Sequence, residues 1–94
     1  MHQCSQARPV PCIRRAAIHW RVSFPMLLRK ARCESGLNPG SRNLSSAASG
    51  LFQFLPSTWA STPYGGFSVF SPYANALAAG WMHAHGRGGE WACQ

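Results

Sequence analysis

Helix punctuation is written into this chain twice, and no strand pattern of any length accompanies it. Ser71-Pro72 opens a run that continues from Tyr73 through His85, and Gly86 closes it. Serine accepts a hydrogen bond from a first-turn N–H, and proline at the first helical position lacks a donor that would have no partner there. Glycine supplies the left-handed backbone that ends a helix. The same signs recur at Ser23 and Pro25, followed by Met26 to Glu34 and then Gly36, with Asn38-Pro39-Gly40 as a turn. A chain so punctuated is restricted to short helices joined by long ordered loops, a mainly α class with little or no sheet. In the second run Tyr73, Leu77, Gly80, Trp81 and Ala84 share a face, and Gly80 admits a close neighbour.

Between the helices, residues 40–50 are polar and read as a loop. Leu51-Phe52-Gln53-Phe54-Leu55 is apolar apart from Gln53, and Pro56-Ser57-Thr58-Trp59 opens a short helix. Thr62 to Phe70, with Pro63, Gly65 and Gly66, is expected to be irregular. Residues 1–24 form an undetermined basic arm interrupted by Pro9 and Pro11, and the organised domain is expected over 25–94. A chain of 94 residues has room for one core and needs reinforcement. Cys4, Cys12, Cys33 and Cys93 contain no C-x-x-C pair, so disulfides in an oxidising compartment fit better than zinc. Cys4 and Cys12 are placed to close a local loop, though their state stays open.

The formal charge is +7, which points toward anionic polymers: nucleic acid, a membrane surface or a bacterial wall. A solvated basic surface with no assigned partner is the plainer reading. No run of about 18 apolar residues offers a membrane span. Nor does an apolar segment of about 7–15 residues follow the early charges, so no signal peptide is visible. A lost leader, a misplaced start codon and phage-type lysis stay open as routes out of the cell.

Acid chemistry has two possible owners, Glu34 and Glu90, against nine Lys or Arg. Glu34 closes a helical pattern in which Leu27, Ala31 and Glu34 share one face, while Arg29, Lys30 and Arg32 point elsewhere. The negative end of the helix dipole and partial burial both disfavour an ionised carboxylate there. Glu34 is therefore expected to hold and donate a proton.

Cys33-Glu34-Ser35-Gly36-Leu37-Asn38-Pro39, followed by Gly50-Leu51-Phe52-Gln53, Pro56 and Thr58-Trp59, resembles the lytic transglycosylases of the goose-type lysozyme superfamily. Those modules cleave the peptidoglycan sugar backbone. The ending Gly86-Arg87-Gly88-Gly89-Glu90-Trp91-Ala92-Cys93 is similar to the compact branch that includes the resuscitation-promoting factors. The resemblance covers about residues 25–94 and implies a lysozyme-like fold stapled by a Cys33–Cys93 disulfide. It further implies Glu34 as catalytic acid, Gln53 in the sugar cleft, and Asn43 and Ser49 as lesser groove contacts. Larger relatives carry a late Ala-Tyr-Asn-Ala-Gly segment whose tyrosine reaches the active site, and this chain shows nothing like it.

Glycosidic cleavage usually uses two carboxylates, so a chain this poor in acids favours a single-acid route. In that route the substrate's acetamido group and C6 hydroxyl complete the reaction as a 1,6-anhydro sugar. The alternative is a hydrolytic muramidase in which Glu90 positions a water; the plainer expectation is an exposed ion pair of Glu90 with Arg87 or another surface Arg. Tyr64 and Phe67 are candidates for sugar stacking, whereas Trp59, Trp81 and Trp91 read as core. His83 and His85 lie two apart on a helix and cannot share a metal, and their charged forms would suit the helix end. No metal or cofactor is expected. The expected partners are peptidoglycan glycan strands and anionic wall polymers, met by a monomer outside the cell, at the wall or with a phage. A non-catalytic wall-binding module and a basic nucleic-acid binder are the competing classes, the latter supported by charge alone.

Overall fold

A computed structural model describes residues 4–91 and Cys93, so Ala92 of the quoted ending lies outside the described residues. Four α-helices follow in order: α1 (Val10–Trp20), α2 (Phe24–Ser35), α3 (Pro56–Ser61) and α4 (Pro72–Ala84). A 3-10 turn at Gly88–Glu90 comes last. Among the described residues there is no strand, and two isolated antiparallel bridges, Arg42 with Ser49 and Ser49 with Phe54, are the whole of the sheet-like pairing. The fold is mainly helical with two disulfides, Cys4–Cys12 and Cys33–Cys93. No helix among the described residues is long and apolar enough to cross a membrane.

Both punctuated helices form where their caps place them. Ser23 Oγ accepts from the Met26 N–H at 3.2 Å, and Gly36 ends α2 at φ 64°. Ser71 Oγ accepts from the Ala74 N–H at 3.3 Å at the head of α4.

The segment 1–24, read as an undetermined arm, instead contributes helix α1. Its prolines do not interrupt it: Pro9 is the N-cap and Pro11 lies in the first turn, where a missing N–H leaves nothing unsatisfied. Cys12, Ile13, Ala16 and Ala17 form its buried stripe, and the Cys4–Cys12 bridge ties the preceding loop to it. Helix α1 packs chiefly on α4. A Cβ on Gly80 would lie 2.9 Å from Trp20 Cδ1 and 3.3 Å from the Ala16 carbonyl oxygen, so Gly80 does admit the close neighbour expected of it.

The core side of α4 differs from the expected one. Ala74, Asn75, Ala76, Ala78, Ala79, Gly80 and Met82 are buried, whereas Tyr73, Leu77 and Trp81 are half-buried and Ala84 is exposed. Small residues let α1 approach closely, and the bulky stripe is left toward the surface. Phe52, Leu27, Leu51, Ile13 and Met82 fill the centre.

Candidate active site

Helix α2 delivers Glu34 in its last turn, and Ser35 fixes where that turn sits. The Ser35 hydroxyl donates to the Leu51 carbonyl at 2.7 Å and accepts from the Asn38 N–H at 3.2 Å. One short side chain thus ties the end of α2 to the apolar segment that carries Gln53. Asn38 Oδ1 accepts from the Gly40 N–H at 3.0 Å, which closes the turn. Glu34 is half-buried, and its Oε2 accepts from the Cys93 backbone N–H at 3.1 Å. That donor holds the carboxylate in one orientation.

Gln53 sits on a tight loop closed by reciprocal bonds between Ser49 and Phe54, each 2.9 Å. Its φ of 53° is left-handed, an uncommon state for glutamine. Its amide nitrogen donates to the carbonyls of Ser41 at 3.1 Å and Gly50 at 2.9 Å. With the nitrogen so engaged, the carbonyl oxygen is the atom left to accept from a ligand. Asn43 spends its own oxygen on the Ser45 and Ser46 N–H groups at 2.9 and 3.2 Å, which leaves its amide nitrogen as donor.

Asn75 clamps this loop from the core. It is fully buried; its Oδ1 accepts from the Phe52 N–H and its Nδ2 donates to the Val69 carbonyl, both at 2.8 Å. A Cβ on Gly50 would overlap both Asn75 Nδ2 and the Val69 oxygen, and Gly50 also takes φ 85°. Glycine is the residue that satisfies both conditions. Asn75→Ala leaves the buried Phe52 N–H and the half-buried Val69 carbonyl unpaired and is expected to lower unfolding stability by about 3 kcal/mol in a denaturant titration. A loss under about 1 kcal/mol would show that the clamp is dispensable.

The opposite wall is built from the 3-10 turn and Trp91. Arg87 grips Glu90 through both oxygens, Nε to Oε2 at 2.6 Å and Nη2 to Oε1 at 3.2 Å. The hydrogen bond from Arg87 holds the exposed Glu90 carboxyl below the usual glutamate range. Trp91 is buried and donates its indole N–H to the Phe52 carbonyl at 2.6 Å.

Glu34, Asn43, Ser46, Ala48, Gln53, Leu55, Glu90 and Trp91 together line a groove of about 320 Å³. The two carboxylates therefore share one groove, and Glu34, Asn43 and Gln53 line it together. Ser49 and Tyr64 lie elsewhere. Ser49 is buried in the neighbouring depression with Pro56, Trp59 and Val69, its hydroxyl donating to the Ala47 carbonyl at 2.9 Å. Tyr64 lines a separate apolar hollow with Phe67, Tyr73 and Leu77.

Sequence reasoning missed three contributors. Asn75 had a signal, since asparagine is a poor interior residue for an alanine-rich helix unless something holds its side chain. Trp91 was read as core and is also groove wall. Lys30 was placed among the outward charges, yet it is 2% exposed.

His83 also departs from expectation. Its ring stacks on Trp91 with centroids 5.4 Å apart and planes 7° apart, and its Nε2 lies 3.0 Å from Lys30 Nζ. Burial, reinforced by the Lys30 charge, lowers its proton affinity, so the charged form is disfavoured at this helix end. A histidine held below its ordinary value of about 6.5 leaves the native state short of a proton that the unfolded chain takes up. Native stability then falls as pH drops through the window below that value. The unfolding midpoint is expected to decline as pH falls below about 6.5, less steeply in His83→Gln. Glu90, held below the usual glutamate range by Arg87, titrates at lower pH than His83 does in the unfolded chain. Equal slopes for the two proteins would count against it.

The fold and site define a small, disulfide-stapled helical domain with a glutamate and a glutamine-bearing loop on one groove. The profile of the transglycosylase SLT domain matches residues 11–83, and the chain belongs to that family. The match begins inside α1, so the family's extent includes that helix. At family level this means lytic transglycosylase chemistry on peptidoglycan. Searches of curated proteins and of solved structures returned no match.

Proposed function

We propose that this protein cleaves the β-1,4 bond between N-acetylmuramic acid and N-acetylglucosamine in peptidoglycan, with Glu34 as sole acid and base. The observation that carries this reading is the unequal commitment of two groove carboxylates. Glu90 has both oxygens taken by Arg87, whereas Glu34 receives a single backbone N–H from Cys93. Glu34 donates its proton to the glycosidic oxygen as the C1–O bond breaks, and the sugar's acetamido oxygen supports the cationic carbon. The C6 hydroxyl then attacks C1 and returns its proton to Glu34. A 1,6-anhydro end forms and no water is consumed.

Gln53 presents an acceptor and Asn43 a donor to the bound sugar, both oriented by their own loop bonds. The +7 chain is drawn to the acidic wall outside the cell, where two disulfides would persist. Hydrolysis through a Glu90-bound water is the second reading, favoured by the presence of Glu90 in the same groove. The test is release of soluble fragments from purified peptidoglycan. Release by the wild type supports the activity, and binding without release by a folded protein would leave a wall-binding module.

A further inference from the structure

The single-acid mechanism gives no task to Lys30, although among the described residues it is the buried cation. An ammonium withdrawn from water is costly unless its donors find partners. Lys30 finds three contacts, one on α4 and two on the 88–91 segment. Nζ donates to the Gly88 carbonyl at 3.0 Å, lies 3.0 Å from His83 Nε2 on α4, and sits 4.6 Å over the Trp91 ring. Neutral His83 accepts there when its proton is on Nδ1. A Cβ on Gly88 would overlap the His83 ring, so the 3-10 turn is pressed against this cluster.

These partners are the footing of one groove wall. Gly88 begins the turn that carries Glu90, and Trp91 comes directly after it; both Glu90 and Trp91 line the groove that also holds Glu34. Lys30 itself lies one helical turn before Glu34 on α2. The ammonium therefore spans the two sides, fastened to the helix of the acid and to the backbone of the facing wall. Burial lowers the proton affinity of Lys30, the Glu34 carboxylate opposes that, and Arg29 adds to it.

We propose that Lys30 is a positioning residue: its buried ammonium pins the 88–91 wall to α2 and so sets the width of the groove at Glu34. The inference rests on the glycan-cleaving function above. Lys30→Met keeps the length of the side chain and removes its charge and donors. The Gly88 carbonyl loses its donor, at a cost of about 1–3 kcal/mol, which is less than the total stability of a domain this size, so the variant is expected to fold.

Two measurements read the consequence. Amide hydrogen exchange in residues 86–91 is expected to quicken at least about tenfold relative to α4, as local opening becomes easier. On purified peptidoglycan KM is expected to rise about tenfold with a smaller change in kcat, as for lost binding rather than lost chemistry. A folded variant with wild-type exchange or wild-type KM overturns the proposal. Should Lys30→Met not fold, Lys30→Gln carries the same comparison, and failure of both to fold assigns Lys30 to the core and overturns it. A wild-type protein that releases no fragments defeats the functional reading, and the pin is then judged on exchange alone.

Discussion

Glu34→Gln is expected to fold like the wild type and to release fragments from purified peptidoglycan about 10²–10⁴ times more slowly. The amide keeps an oxygen for the Cys93 N–H, so the bond that orients residue 34 survives. What disappears is the transferable proton, and with it both halves of the mechanism. Glu90→Gln is the matched control. Its loss removes an exposed ion pair with Arg87, a kind of contact that adds little to stability, and cleavage is expected to persist. Strong loss in Glu90→Gln with survival in Glu34→Gln would reverse the assignment.

Removal of the Cys33–Cys93 bridge, by Cys33→Ser with Cys93→Ser, carries the other large effect. The two cysteines are 60 residues apart, and a loop that long is expected to stabilise the fold by about 4 kcal/mol through the unfolded chain. A domain of this size has roughly 5–14 kcal/mol in total. The thermal midpoint should fall by roughly 15–30 °C, read by circular dichroism under non-reducing conditions. The same change frees the Cys93 N–H from its place on Glu34, so activity measured well below the new midpoint should also drop. A shift of only a few degrees with full activity would show that the bridge is not what holds the wall.

Where residues carry their own local instructions, the chain was legible. Ser23, Pro25 and Gly36 bound α2, and Ser71 and Pro72 start α4, because caps act within a turn of themselves. Helix α1 was missed because Pro9 and Pro11 look like breakers until their place at a helix start is known. The core side of α4 was misjudged for a tertiary reason: side-chain size suggested Tyr73, Leu77 and Trp81, but the tight crossing with α1 favours alanines.

The site divides in the same way. Glu34 and Gln53 were singled out through the motif and Asn43 by position, and the three line one groove. Tyr64 was singled out from an irregular segment with no register, and Ser49 by position alone; both line other depressions. Lys30 could not be found locally, since its burial depends on Gly88, His83 and Trp91, more than 50 residues away.

Digestion of purified peptidoglycan in heavy-oxygen water, with mass analysis of the new glycan ends, tests the central claim most directly. A single glutamate working with the sugar's own hydroxyl should give unlabelled 1,6-anhydro ends that vanish with Glu34→Gln. Reducing ends carrying the heavy oxygen, or equal release by the variant, would contradict it.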